Sequence, residues 1–398
     1  MDPPVKKRIS VIASAGSTGY PYYIGALARL FEATDNRELP EPYHMAGASA
    51  GALALASVLP WSQKTISKAL EVTRNLTPHE IYGYSSFLKT RLGSIAMIKI
   101  ANHFSQEFIK KVFRKLDDER FYYLFKTGEL TLDGILTTLL IYEIFGMPSL
   151  FSGKPLYELL KKNMGDSFRG IFNSIIKLDV ISVDRKTGKQ ILFTNYLPEH
   201  KNIDEIVRNK FFLKGLLSSA SLPGFFPPVV EGDMELVDGG VVTSIPINRA
   251  IKINPSPDIV LLLLYKHPED HSNGKHGNSA IQNLHDCYLI TGHEAARRNV
   301  ETFMSTNNDL EVLRELLEHE KQKDRTQQEL DEFNSVINKF SFAGRKRIPI
   351  VIVQPDKEVP NIGFSEFNKQ DLMLSMDIGC AAMDKAIPRI KEVLKETP

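Results

Sequence analysis

The order of apolar and polar positions predicts strands that alternate with helices along the first part of the chain. Residues 8–13 (RISVIA) are rich in β-branched side chains and predict a buried strand, and apolar residues recur at helical spacing over residues 22–33. Residues 43–47 (YHMAG) predict a second strand, and the Ala- and Leu-rich residues 50–59 predict a second helix, which Pro60 ends. This alternation favours an α/β fold with a largely parallel central sheet and helices on both faces.

The pattern becomes mostly helical between about residues 78 and 153, which we interpret as a helical insertion. Within it, the run from Leu130 to Phe151 is unusually apolar, because Asp133 and Glu143 are its only charged residues. We interpret this run as a pair of core helices, with a lid or a lipid-facing surface as the alternative.

Strands return after the insertion. Residues 175–184 and 189–195 flank a turn and predict a hairpin, and the apolar run 258–265 predicts a strand in the middle of a sheet that is covered on both faces. Residues 305–340 are heavily charged, with leucines at helical spacing, and predict an exposed helical excursion that breaks near Lys323. A last strand and helix are predicted within residues 348–395, so we interpret residues 1–398 as a single domain.

Composition excludes several classes of function. The formal net charge of +1 gives the chain no general attraction to nucleic acid. The two cysteines, Cys287 and Cys380, exclude a disulfide scaffold and match no metal-ligand spacing. No apolar run approaches the roughly 20 residues of a membrane-spanning helix. We therefore expect a cytoplasmic protein that needs no metal or other cofactor and contacts membranes only at their periphery, while its oligomeric state stays open.

The first candidate for chemistry is the sequence Gly47-Ala48-Ser49-Ala50-Gly51, which follows a predicted strand and precedes a predicted helix. A nucleophilic serine needs a sharp turn of this kind, and the small flanking residues let neighbouring backbones approach closely. The amides at the start of the helix also point toward developing negative charge. The alternative interpretation is a structural glycine turn, but the position between strand and helix favours Ser49 as a nucleophile.

A second candidate is the glycine loop after the first strand, which includes Gly16, Ser17 and Thr18. A phosphate-binding loop would require a Lys-Ser or Lys-Thr pair after the glycines, and none is present. An oxyanion hole needs only exposed backbone amides at a helix N-terminus, which this loop offers.

A third candidate is Asp238, followed by Gly239 and Gly240 after a short predicted strand. A carboxylate serves as the base for a serine if burial raises its pKa from about 3.9. Two glycines after Asp238 would let the chain turn sharply and hold the carboxylate against Ser49. By itself this pattern is also typical of an ordinary Asp-Gly turn. Upstream, residues 218–228 form a small-residue helix end and a rigid apolar corner without a reactive group.

These four segments, in this order, resemble the patatin-like phospholipase family. The resemblance covers roughly residues 7–60 and 175–265, together with the final strand and helix. It implies a dyad of Ser49 and Asp238 that cleaves fatty acyl esters through an acyl-enzyme without a metal, and a site floor shaped by the apolar corner that ends at Pro228. The glycine loop departs from the family pattern GGGxRG because it lacks the basic residue. On this resemblance we expect a lipid acyl hydrolase of the phospholipase A or lysophospholipase type that acts on lipid or phospholipid.

Three alternatives stay open at the level of sequence. Transfer of the acyl group to an alcohol instead of water would make the protein an acyltransferase. A Ser-His-Asp α/β-hydrolase would use Asp238 as its acid and take its base from a set of five histidines, namely His267, His271, His276, His285 and His293. The third alternative is a lipid-binding or storage protein with a vestigial site.

Overall fold

An eight-stranded sheet occupies the centre of the computed structural model, which describes residues 7–16, 19–84, 149, 151–164, 167–197, 203–266, 280–321, 326–337, 346–360 and 367–397. Five strands, in the order β10-β9-β1-β2-β5, run parallel, and β6, β8 and β7 continue the sheet antiparallel. The strands of this sheet are β1 (Ile9–Ala13), β2 (Pro42–Ala48), β5 (Lys177–Asp184), β6 (Gln190–Thr194), β7 (Val229–Glu231), β8 (Met234–Asp238), β9 (Ile259–Leu263) and β10 (Ile350–Val353). A separate antiparallel pair joins β3 (Gly83–Tyr84) to β4 (Phe151–Ser152).

Helices cover both faces of the sheet. They are α1 (Tyr20–Asp35), α2 (Ser49–Ser57), α3 (Gln63–Asn75), α4 (Pro78–Ile81), α5 (Lys154–Met164), α6 (Ser167–Asn173), α7 (Glu205–Ser219), α8 (Asn248–Lys252), α9 (Ala280–Lys321), α10 (Gln327–Ile337) and α11 (Lys369–Glu396). Strand β9 shows why both faces need cover, since Ile259 and Leu261 enter one apolar core while Val260 and Leu262 enter the other. All five of its residues are buried, which is typical of a central strand in a parallel sheet.

Helices α1 and α11 cross at very short range because each has a glycine at the crossing. A β-carbon on Gly25 would overlap the main-chain carbonyl of Met376, and one on Gly379 would overlap that of Tyr22. The close crossing fixes α1, and with it the glycine loop that leads into this helix, against the C-terminal helix.

The structure confirms the predicted α/β class, the parallel sheet, the hairpin of β5 and β6, and the central strand β9. The predicted last strand and helix are β10 and α11, and α11 begins at Lys369. The helix that carries the first part of the predicted charged excursion, α9, begins earlier, at Ala280, and runs unbroken to Lys321. Its first turns carry too few charges to stand out from the preceding loop composition.

Most of the predicted helical insertion lies outside the described residues, including the run from Leu130 to Phe151 apart from Ser149 and Phe151 itself. Its described ends are α4 and the strands β3 and β4, which pair with each other. The choice between core helices and a lipid-facing surface therefore stays a prediction, as does the single-domain interpretation. No helix within the described ranges is both long and apolar enough to cross a membrane.

Candidate active site

Ser49 occupies the sharp junction between β2 and α2. Gly47 and Ala48 are the last residues of the strand, and Ala50 and Gly51 lie in the first turn of the helix. Ser49 has a φ of 54°, in the left-handed region that costs a side-chain-bearing residue free energy. A β-carbon on Gly51 would overlap the main-chain carbonyl oxygens of Ala13 and Ser14, so the helix start lies directly against the end of β1.

The register of β5 explains how Ser49 and Asp238 meet. The end of β2 pairs with β5 at Ala48 opposite Ile181, and the end of β8 pairs with it at Asp238 opposite Ser182. Since β6 occupies the other edge of β5 along the same stretch, β2 and β8 share one edge and converge on it from opposite directions. The residue after β2 and the last residue of β8 therefore face each other at the gap between the two strands.

Asp238 is a buried carboxylate, only 1% exposed, while Ser49 is 8% exposed. The Ser49 side chain interacts with it and lowers its pKa, and the main-chain N–H of Gly240 donates to Asp238 Oδ1 at 2.7 Å. Burial raises the pKa of Asp238 to about 7, and the interactions with Ser49 and the Gly240 N–H lower it by less than burial raises it. Gly239 has no room for a side chain, because a β-carbon there would overlap the carbonyl oxygen of Ile181.

The segment that follows α7 fills the gap between β2 and β8. Ser219 is fully buried; its hydroxyl accepts a hydrogen bond from the Ser49 N–H at 3.0 Å and donates one to the Ile181 carbonyl at 2.6 Å. The carbonyl of Ser221 accepts from the Asp238 N–H at 3.0 Å. Sequence reasoning found no chemical role for this segment, and its only signal was a run of small residues before the Pro-rich corner. The structure shows that it holds both Ser49 and Asp238.

The glycine loop lies next to the start of α2. Gly16 has a φ of 150°, and a β-carbon there would overlap the ring of Tyr265 beneath it. The carbonyl of Gly16 accepts from the Gly19 N–H at 2.9 Å, which closes a turn ahead of α1. Ser17 and Thr18, the other predicted oxyanion residues, lie outside the described residues. The contact of Gly51 with Ser14 places this loop beside the first amides of α2.

An apolar pocket opens at Ser49 and Ala50. Its walls come mainly from α2, α3 and α5, and its apolar lining includes Leu53, Val72, Leu76, Leu156, Leu160 and Met164. Phe226, from the Pro-rich corner, and Ala220 also line it. A pocket with such walls suits an extended hydrocarbon chain whose polar end lies at the serine.

The profile of the family described as patatin-like phospholipase matches residues 11–251, which is more than half of the chain and includes β1, Ser49 and Asp238. The chain belongs to the patatin-like phospholipase family. Membership supports a lipid acyl hydrolase activity in general. Among solved structures, the chain is similar to VipD from Legionella pneumophila, with 13% identity, a TM-score of 0.37, and coverage of 96% of this chain and 67% of VipD. No curated protein sequence matches the chain significantly.

This patatin-like chain also contains, apart from Ser49 and Asp238, a deeply buried Ser-His-Asp arrangement on β1, β2 and β5. Ser10 Oγ lies 2.8 Å from His44 Nδ1, and His44 Nε2 lies 3.2 Å from Asp179 Oδ2. Arg249 and Tyr196 donate further hydrogen bonds to the same carboxylate at 2.7 and 2.9 Å. Ser10, His44 and Asp179 have no exposed surface at all, so no substrate reaches them, and the arrangement is a structural network that links three strands.

None of the five histidines of the α/β-hydrolase alternative has a side chain that the structure describes. His267, His271 and His276 lie outside the described residues, and the side chains of His285 and His293 are not described. Within the described residues, no three His, Cys, Asp or Glu side chains are grouped to hold a metal ion. Both points leave the two-residue, metal-free mechanism as a prediction.

Proposed function

We propose that this patatin-like protein is a lipid acyl hydrolase of the phospholipase A or lysophospholipase type, with Ser49 as nucleophile and Asp238 as base. The observation that carries the proposal is the position of the Ser49 side chain beside a buried carboxylate, whose pKa it lowers, at an apolar pocket. A base is most effective when its pKa lies near the working pH, and burial raises that of Asp238 to about 7.

In the first half of the reaction, Ser49 Oγ attacks the ester carbonyl carbon while Asp238 takes the hydroxyl proton. The tetrahedral intermediate collapses, the bond to the leaving alcohol breaks, and Asp238 returns the proton to that alcohol. The acyl group stays on Ser49 as an ester, with its hydrocarbon chain in the pocket.

In the second half, water replaces the alcohol. Asp238 takes a proton from the water as it attacks the acyl-enzyme, and Ser49 recovers its proton when the fatty acid leaves. The negative charge on the oxygen in both intermediates needs backbone donors. We assign these to the glycine loop, at Gly16, Ser17 and Thr18, with the Ala50 N–H at the start of α2 as a further donor.

A fluorophosphonate probe tests the nucleophile directly. We expect covalent labelling at Ser49, no labelling of Ser49→Ala, and loss of short-chain ester hydrolysis in this variant while its melting temperature stays near that of the wild type. Ser10→Ala is a matched control, since Ser10 is also a buried, hydrogen-bonded serine but lies in the other network. Absence of labelling in the wild type would favour the vestigial lipid-binding alternative.

Alanine substitutions at the five histidines test the α/β-hydrolase alternative. In the two-residue mechanism, each single variant keeps most of the activity. A histidine that proves as essential as Ser49 would replace the dyad by a triad.

A further inference from the structure

The polar side chains that line the apolar pocket differ in whether they have partners inside the protein. Three of them already have partners inside the protein. Tyr20 interacts with Ser57 and Thr73, which lower its pKa, the Ser57 hydroxyl donates to the Ala54 carbonyl at 2.8 Å, and Thr65 belongs to the capping box of α3. Two further polar side chains of the lining, Lys68 and Asn163, make no side-chain hydrogen bond or ion pair with any residue that the structure describes. Unsatisfied polar groups of this kind are available to a ligand.

Lys68 and Asn163 reach the same pocket from different helices. Lys68 lies in the middle of α3, on the face that also brings Ala69 and Val72 to the pocket, and Asn163 lies in the last turn of α5 next to Met164. Both side chains are half-buried. A lysine in this setting covers apolar wall with its methylene stem and keeps its ammonium group at the boundary with water. We therefore expect the ammonium of Lys68 at the mouth of the pocket.

Charge on two of the helices that line the pocket, α3 and α5, has one dominant sign. Helices α3 and α5 carry six basic residues and two acidic ones, Glu71 and Glu158, and within the described residues none of the six forms an ion pair. The basic residues are Lys64, Lys68, Arg74, Lys154, Lys161 and Lys162. Lys161 and Lys162 lie at the end of α5, where positive charge stabilises the helix dipole. Lys68 lies in mid-helix, so the dipole does not explain it.

We propose that Lys68 and Asn163 form a subsite for the anionic head group of an acyl lipid, a phosphate or a carboxylate. The ammonium supplies a charge-assisted hydrogen bond and the amide supplies a neutral one, while the apolar lining takes the chain. The inference rests on the proposed acyl hydrolase function and narrows its substrates to anionic lipids.

The test compares two single-chain esters, monodecanoyl glycerol phosphate and monodecanoyl glycerol, below their critical micelle concentrations. Monomeric substrates remove the effect of vesicle surface charge. The expected result is a wild-type preference for the phosphate ester in kcat/KM, which Lys68→Met lowers by about tenfold or more and Lys68→Arg preserves within about threefold. Asn163→Leu lowers the same ratio by less.

Lys64→Met is the matched control, because Lys64 is an exposed lysine one turn earlier on α3 and does not line the pocket. An equal loss of preference in Lys64→Met and Lys68→Met would overturn the subsite in favour of general attraction. Inhibition by decanoate separates the two anions. If Lys68→Met weakens inhibition by decanoate and leaves the phosphate preference intact, the subsite binds a carboxylate. If Lys68→Met lowers the phosphate preference and leaves the inhibition intact, the subsite binds a phosphate. No change in either measurement would also overturn it.

A binding measurement keeps this inference separate from the proposed function. Calorimetric titration of the Ser49→Ala protein with decyl phosphate and decanol needs no turnover. We expect tighter binding of the phosphate, and loss of that difference in the double variant with Lys68→Met. If Ser49→Ala still hydrolyses esters, the proposed function fails whatever the titration shows; if the titration shows no dependence on Lys68, the subsite alone fails.

Discussion

The hydroxyl of Ser219 lies 3.0 Å from the main-chain nitrogen of Ser49 and accepts its N–H, while donating to the Ile181 carbonyl at 2.6 Å. It thereby connects the main chain just after β2 to β5, at the place where the ends of β2 and β8 approach each other. The bridge holds the backbone of Ser49 at its φ of 54°.

Ser219→Ala removes this bridge and takes one hydrogen-bond partner from each of two buried main-chain groups. We expect a loss of about 1–3 kcal/mol in the free energy of unfolding, and a fall of tenfold or more in kcat with little change in KM on a soluble ester. Ser218→Ala is the control, because Ser218 is an adjacent buried serine whose hydroxyl contacts Ser182 Oγ at 2.7 Å and not Ser49. Equal kcat values for the two variants would contradict a positioning role.

The raised pKa of Asp238 predicts the pH dependence of turnover. The base must be ionised to accept the Ser49 proton, so kcat/KM on a soluble ester should fall as the pH drops through about 7. Asp238→Asn should lower the rate by orders of magnitude and abolish this inflection. A wild-type profile that stays flat down to pH 5 would exclude Asp238 as the base.

The same group predicts a pH dependence of stability. The folded-state pKa of about 7 lies above the ordinary value of 3.8, so the folded state binds this proton more tightly than the unfolded chain. Its contribution to stability is present below about pH 3.8 and is lost as the pH rises through about 7. Urea unfolding should therefore show Asp238→Asn gaining stability relative to the wild type between pH 5 and pH 8. A constant difference over this range would contradict the shift.

The positive φ of Ser49 predicts a difference between two inactive variants. Alanine keeps the backbone strain of the left-handed region, whereas glycine adopts this conformation freely. Both Ser49→Ala and Ser49→Gly should lose hydrolysis, but Ser49→Gly should be more stable by about 1 kcal/mol in chemical unfolding. Equal stability of the two would mean that the turn imposes no strain on Ser49.

The buried network of Ser10, His44 and Asp179 predicts an effect on folding without an effect on chemistry. Burial by itself would raise the pKa of Asp179, but the hydrogen bonds and charges of His44 and Arg249 hold it below its ordinary value. His44→Ala should cost about 2–5 kcal/mol, because it leaves a cavity and two polar groups with fewer partners. Folded His44→Ala protein should still react with a fluorophosphonate at Ser49. Loss of that reaction in a folded protein would connect the network to the active site.

Local pattern was sufficient for the elements that position the site. Residues 8–13 and 258–265 have strand-like apolar runs, and the small residues around Ser49 signal a strand-to-helix turn, so these elements could be predicted from neighbours in sequence. The start of α9 at Ala280 could not be predicted, since the turns that precede its charged part have no strong amphipathic period. The position of Lys68 in the pocket lining could not be predicted either, because a lysine on an amphipathic helix normally faces solvent.

By itself, the sequence determined the α/β class, the glycine turn at Ser49 and the Asp-Gly-Gly turn at Asp238, because each depends on contacts within a few residues. Only the tertiary structure decided that these turns meet. Their meeting depends on the register of β5, where Ala48 lies opposite Ile181 and Asp238 lies opposite Ser182, and on Ser219 filling the gap. Register is a property of strands far apart in the chain, and a hydroxyl acquires its role only from the backbone groups that the fold brings beside it.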